Sequence, residues 1–184
     1  MSEITPGVLR SNQPSPKRLQ RYKAMGIKTV VSLRGNACSK SFNQLEKQAC
    51  AHLGLNLHYI VGVGARDLKS REIILSALDI LETIPRPFVM HCKSGADRTG
   101  FISALYLICV EGVPVAQAAH QLARKYIHLP YSKSGVLGHV FRVYLRDAEP
   151  IGQRFREWLE TNYDPSEITL DFQEWRAGVG RWSK

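Results

Sequence analysis

The chain has 184 residues and a formal net charge of +9, from 25 Lys and Arg against 16 Asp and Glu. Hydrophobic residues make up 44% and charged residues 22%, proportions that exclude a disordered or collagen-like chain and suit one domain with a sizeable core. Four irregularly spaced cysteines exclude a disulfide scaffold, and no apolar run is long enough to span a bilayer.

Residues 1–16 are rich in Pro and Ser, with a short apolar piece at Val8-Leu9, and read as a short edge strand and turn. Ser15 is a candidate cap for a helix from Pro16 to about Met25, ended by Gly26. Thr29-Val30-Val31 marks a buried strand within Ile27 to Leu33. Arg34 follows at its carboxyl end, where ligands gather in α/β sheets, so Arg34 is a candidate for the pocket. A helix starting at Ser41 or Asn43 runs to Gly54, and Leu55 to Ile60 reads as a strand. Two glycines and a polar end make Val61 to Ser70 a loop. Ser70 then caps a helix through Thr83 that turns Ile73, Ile74, Ala77, Leu78 and Leu81 inward.

The next segment organises the whole. An apolar run, Pro87-Phe88-Val89-Met90, leads into His91-Cys92-Lys93-Ser94-Gly95-Ala96-Asp97-Arg98-Thr99-Gly100, and a helical pattern follows to about Val110. Strand, tight loop and helix have a physical use. Successive loop N–H groups and the free N–H groups of a helix start bind a tetrahedral dianion. Arg98 adds a bidentate fork, and the same positive field favours a thiolate at Cys92. A thiolate beneath a bound phosphate is a nucleophile aimed at phosphorus. None of the other cysteines has an arginine six residues on: Cys38 leads to Gln44, Cys50 to Asn56 and Cys109 to Val115.

Beyond the loop, Pro114 opens a helix expected from Val115 to about Tyr126, residues 135–147 form another, and Ile151 to Leu159 a shorter one. Phe155, Trp158, Phe172, Trp175 and Trp182 give the C-terminal stretch an aromatic character, read as packing on its own domain, with Gly178 to Lys184 frayed. Strands alternating with helices, then a helical second half, predict an α/β fold: a parallel or mixed sheet of about four to five strands flanked by helices. The domain is expected over 1–150, with 151–184 as a helical and aromatic extension packed on it.

The run from His91 to Gly100 strongly resembles the signature loop of the protein tyrosine phosphatase superfamily, His-Cys-five residues-Arg-Ser/Thr-Gly. Arg10-Ser11-Asn12-Gln13-Pro14 is similar to the opening strand and turn of small dual-specificity phosphatases. The resemblance covers roughly residues 8 to 125. It implies that Cys92 attacks phosphorus to give a cysteinyl-phosphate, with Lys93, Ser94, Gly95, Ala96, Asp97 and Arg98 forming the phosphate cradle. Thr99 would donate its hydroxyl to the sulfur, and His91 would orient the loop. The superfamily's general acid is an aspartate on a mobile loop before the cysteine. Asp67, 25 residues ahead of Cys92, fits that place, although the usual Pro-Asp pair is missing. A helix cap or an ion pair with Arg66 or Lys69 is the plainer role for Asp67; Glu72 is a weaker substitute acid.

No cofactor is expected, and the other cysteines lack compact metal-ligand spacing. Nine Lys and Arg against two acids in residues 1–47 point to an anionic partner: a phosphorylated substrate, with peripheral contact to an anionic membrane. Small bacterial dual-specificity-like phosphatases include enzymes for lipid A and inositol phosphates, and a phosphorylated lipid or other polyanionic non-protein phosphomonoester is the preferred substrate. Lys93-Ser94-Gly95 looks like the inositol-lipid enzymes' loops, but Ala96 stands where those often carry a second lysine. Protein tyrosine, serine or threonine phosphatase, RNA-end phosphatase and weak phosphate-binding module are the alternatives. A clear base-stacking module is missing, so nucleic acid is not expected. A monomer is expected, in the cytoplasm or at the inner face of the membrane, because no basic-then-apolar leader opens the sequence.

Overall fold

The computed structural model describes residues 1–36 and 41–181. Five strands form one mixed sheet in the order β1-β2-β5-β3-β4. These are β1 (Ser2–Thr5), β2 (Val8–Asn12), β3 (Thr29–Ser32), β4 (Asn56–Tyr59) and β5 (Phe88–Cys92). β1 pairs antiparallel with β2, and the other three ladders are parallel. Val8-Leu9 therefore does not lie on an edge as its Pro- and Ser-rich flanks imply. Residues 2–5 take the edge, and β2 sits between β1 and β5.

Every residue of β3 and β5 is buried, the unbroken pattern of strands covered on both faces. Alternation along the strands sorts them between two cores. Val30 and Val89 join Leu19, Tyr22, Cys50 and Leu55 beneath α1 (Pro16–Ala24) and α2 (Ser41–Leu53). Val31, Phe88 and Met90 face the larger core, built with α3 (Arg71–Thr83) and α4 (Asp97–Cys109). Ser15 caps α1 by accepting from Arg18 N–H, with Pro16 in the first turn. The apolar residues of α4 are buried nearly all round, including Phe101, Ile102, Leu105 and Tyr106, so it is a central helix rather than an amphipathic one. Each such side chain contributes about 1.5–3 kcal/mol by leaving water.

The helix expected over Val115–Tyr126 is broken. Only α5 (Val115–Ala118) is α-helical, and 3₁₀ turns follow at Ala119–Leu122 and Arg124–Tyr126. Ile127 there takes a left-handed φ of 65°, which a β-branched residue adopts only when its surroundings hold it. Its neighbours do so: Arg10 lies 3.8 Å from the Tyr126 ring centre, and His128 bonds to Asp97. α6 (Val136–Asp147) matches its pattern, but the next helix, α7 (Phe155–Thr161), starts four residues later than the apolar pattern implies. Pro150 and Gly152 divert the chain first, the glycine at a φ of 75°.

α8 (Pro165–Arg181) continues the chain, so the backbone from Gly178 to Arg181 is helical. Trp182, the last residues and Cys38 lie outside the described residues. Phe155, Trp158, Leu159, Tyr163, Ile168 and Phe172 belong to the same core as α4, so residues after 150 share the fold's main apolar cluster. Among the described residues no helix is long and apolar enough to cross a membrane.

Candidate active site

β5 delivers Cys92 to the carboxyl end of the sheet, where α4 begins five residues later. The intervening loop curls back on the sulfur: Gly95 N–H donates to Cys92 Sγ at 3.3 Å. Cys92 itself is buried. Gly95 has a φ of 76°, and a Cβ there would meet Ser11 O at 2.7 Å and Asn12 N at 2.9 Å. Glycine is thus required both for the turn and for the close approach of β2. Gly100 is needed for a second approach, where a Cβ would lie 2.7 Å from Gln121 O.

Arg98 donates through Nη1 to the Leu33 carbonyl at the end of β3, 2.7 Å away. That bond orients the guanidinium and leaves its remaining N–H groups without a bond to any described residue. Arg34 stands close by. Burial lowers its pKa, the Arg98 charge lowers it further, and Glu46 and Cys92 act against both. Arg34 also donates to Gln13 Oε1 (2.9 Å) and lies over the Phe42 ring. Lys93 and Ser94 are exposed, Ala96 is buried, and Ala96 N–H donates to Ser94 Oγ at 3.3 Å. Asp97 accepts from His128 Nδ1 at 2.8 Å, a buried imidazole brought in by the loop after α5. Thr99 is fully buried, and its Oγ1 has no hydrogen-bond partner among the described residues.

His91 is completely buried behind the loop, with Nδ1 3.2 Å from the Cys92 carbonyl and Nε2 2.8 Å from Glu46 Oε1. Glu46, a buried carboxylate on α2, also accepts from Gln13 Nε2 at 2.7 Å. Gln13 N–H in turn donates to the Lys93 carbonyl at 3.2 Å. Glu46 and Gln13 thus tie α2, β2 and the loop together.

Asp67 sits on the β4–α3 loop. Its carboxylate folds back over Gly64 and pairs with Lys69, and its side chain is 57% exposed. The loop itself reaches the signature segment through the preceding residue, because Arg66 and Asp97 line one cavity of about 380 Å³. The structure therefore brings Cys92, Arg98, Arg34 and His91 together and sets the Asp67 loop beside them, with the carboxylate turned away.

Arg10 carries no role in a reading of the sequence, yet it is a central brace of the site. Its side chain is buried. Nη2 donates to Gly95 O (2.7 Å) and Ala96 O (3.3 Å), while Nη1 donates to the backbone and side-chain oxygens of Gln121, both at 2.7 Å. Burial brings its pKa down to about 10, with Tyr126 and Cys92 acting against that fall, so it stays charged at neutral pH. Its signal in the sequence is its place after the apolar pair Val8-Leu9, at the head of the run from Arg10 to Pro14. Burial pushes the Cys50 and Cys109 thiols up to about 12, which keeps both protonated.

A parallel-stranded core that ends in a cysteine loop, with an arginine at the helix start, defines an α/β protein of the cysteine-phosphatase kind. Residues 3–121 match the model of the tyrosine phosphatase family, and the chain belongs to that family. The dual specificity protein phosphatase TpbA of Pseudomonas aeruginosa is 28% identical over 124 residues, 66% of this chain and 52% of that protein. The chain thus spans about half the length of the curated relatives it matches. The crystal structure of P. aeruginosa TpbA superposes with a TM-score of 0.59 at 19% identity, covering 92% of this chain and 88% of that one. The catalytic core of the PP-IP phosphatase SIW14 from S. cerevisiae, in complex with citrate, gives 0.56 at 16% identity, over 94% and 90%. At these identities the likeness is one of fold.

Proposed function

We propose that the protein is a phosphomonoester hydrolase working through a cysteinyl-phosphate on Cys92. The observation that carries this is the loop from Cys92 to Arg98, wrapped over the sulfur with its arginine anchored by a single bond to Leu33. The phosphate's equatorial oxygens sit on the loop N–H groups and the free edge of Arg98, where transition-state charge is stabilised. Cys92 attacks in line: the S–P bond forms as the P–O bond to the leaving group breaks. Asp67 gives its proton to that leaving oxygen after releasing Lys69 and swinging toward the loop. Water then attacks the cysteinyl-phosphate with Asp67 as base, releasing inorganic phosphate and restoring the thiolate. Thr99 Oγ1, buried and unpartnered, is placed in this scheme as a donor to the departing sulfur.

The preferred substrate is a phosphorylated lipid or another polyanionic non-protein phosphomonoester. The +9 charge and the basic N-terminal third support it, together with peripheral contact to an anionic membrane. The second reading is a protein phosphatase, favoured by the name of the TpbA relative and by a TpbA variant crystallised with pTyr. Phosphate release by the wild type and Cys92→Ser tests both, on phosphotyrosine and phosphoserine peptides, phosphoinositides, lipid A and RNA ends. A Cys92-dependent preference for a phospholipid supports the first reading. A preference for phosphopeptides replaces it with the second, and release that survives Cys92→Ser removes the mechanism.

A further inference from the structure

Next to the signature loop lies a second basic cavity that the family-matched segment builds only in part. The 380 Å³ cavity beside Asp97 is bounded by Arg66 and Lys133, and both side chains also line a further cavity of about 480 Å³. That second space runs along α8, which contributes Thr169, Gln173 and Arg176. Among the described residues its lining carries three cations and no acid. Among the described residues, Arg66, Lys133 and Arg176 make no ion pair with a carboxylate. The contrast with the opposite flank of α8 is direct: there Arg146 is paired with both Asp147 and Asp171. Three like charges around one space repel each other until an anion enters. Arg176 and Arg66 present planar forks suited to phosphate oxygens, and the Gln173 side-chain amide adds a donor, whereas the Thr169 hydroxyl is used on the Pro165 carbonyl.

Asp97, the acid among the described residues lining the 380 Å³ cavity, is bonded to His128. The two spaces adjoin: Asp97 shares one lining with Arg66 and Lys133, and those two share the next with Arg176. α8 is held in place by His139, whose Nε2 donates to Asp171 at 2.7 Å, and by Phe172 in the core. Arg176 is thus delivered by a fixed helix rather than by a loose tail. The family match ends at residue 121, so Lys133 and Arg176 are features of this chain's second half.

We infer that Arg66, Lys133 and Arg176 form a second anion subsite, which takes a further phosphate of the substrate while Cys92 works on the first. The inference rests on the phosphomonoesterase reading and narrows it to substrates with two or more phosphates. The shared chemistry is that of a phosphorylated polyol, free or as the head group of a lipid.

The test compares wild type with Arg176→Ala and Arg176→Lys. The probes are p-nitrophenyl phosphate, inositol monophosphate, inositol bisphosphate, and phosphatidylinositol bisphosphate in phosphatidylcholine vesicles. Arg176→Ala is expected to raise KM for the bisphosphates about tenfold, the worth of one charge-assisted hydrogen bond. It should shift the singly phosphorylated probes much less, and Arg176→Lys should recover part of the loss. Because the three cations are exposed, the gap should narrow as salt rises. A loss on the free bisphosphate assigns the subsite to the polyol itself; a loss confined to vesicles assigns it to the lipid head group. Equal effects on mono- and bisphosphates, or no effect on either, would overturn the inference. Calorimetric binding of inositol bisphosphate to Cys92→Ser, with and without Arg176→Ala, reads the subsite without turnover. An inactive wild type that still loses affinity on Arg176→Ala would remove the hydrolase reading and leave the subsite standing.

Discussion

Replacing Arg10 with methionine tests whether the phosphate loop is held from behind. The guanidinium is the donor to the Gly95 and Ala96 carbonyls, and it ties both to Gln121 on the far side. Methionine has similar length and no donor, so it leaves the Gly95 and Gln121 carbonyls without a protein partner, while Ala96 O keeps its bond from Gly100 N–H. A buried acceptor stripped of its partner costs about 1–3 kcal/mol, which gives about 2–6 kcal/mol for the pair. Against a typical stability of roughly 5–15 kcal/mol this is a large fraction. For a chain of this size, 1 kcal/mol moves the melting temperature about 2–4 °C, so a drop of roughly 5–20 °C is expected. The Gly95 carbonyl lies in the proposed phosphate cradle, so affinity for vanadate should fall too. Scanning calorimetry gives the first quantity and vanadate titration the second. Arg10→Lys should fall between the two proteins, because one ammonium cannot serve both sides of the fork. A methionine variant with wild-type melting temperature and vanadate affinity would refute the bracing role. A lower melting temperature with unchanged vanadate binding would show that Arg10 supports β2 and not the loop.

Three further outcomes can be checked. Asp67→Asn should slow alkyl phosphates about 10²–10³-fold and aryl phosphates far less, since alkoxides need the proton more; equal losses would move the acid elsewhere. Iodoacetamide at neutral pH should label Cys92 and leave Cys50 and Cys109 intact, because burial holds those two thiols near 12 and only thiolates react; peptide mass spectrometry reads this directly. Acidification should loosen α8. Burial lowers the His139 pKa despite the bond to Asp171, and Arg142 and Arg146 repel its charged form further. Its neutral form is therefore the folded one, and stability declines as pH drops below the unfolded value of about 6.5. Asp171 responds lower down. Burial raises its pKa, but the bonds from His139 and Arg146 outweigh that, so its contribution is present above about 3.9 and lost through the lowered folded value. The near-ultraviolet signal of Trp175, stacked on Tyr131 and beside His139, should change between pH 7.5 and 5 and change less in His139→Gln. An identical signal at both pH values would contradict the coupling.

The loop from His91 to Gly100 was legible because its chemistry is local. A cysteine, a glycine and an arginine at fixed offsets between an apolar run and a helix specify the turn and the N–H groups at once. The same holds for the strands Val30-Val31 and Phe88-Val89-Met90, where continuous apolar residues signal burial on both faces. The break at Ala119 was not legible, because residues 115–126 carry a helical composition. What stops the helix is long-range: Gly100 packs against Gln121, and Arg10 draws the Gln121 carbonyl to itself. The middle placement of β2 is equally non-local, since it depends on residues 2–5 supplying the edge.

The sequence by itself determined the cysteine–arginine loop, the alternating α/β order and the excess of positive charge, each a matter of near neighbours or of sums. Only the tertiary structure decided which distant groups meet that loop. Arg10 lies 85 residues from the Gly95 carbonyl it holds, His128 lies 31 from Asp97, and α8 brings Arg176 to the same cavity as Arg66 and Lys133. The physical reason is that hydrogen bonds and charge act over a few ångströms of space. Separation along the chain carries no record of such contacts until the sheet and its two cores have folded.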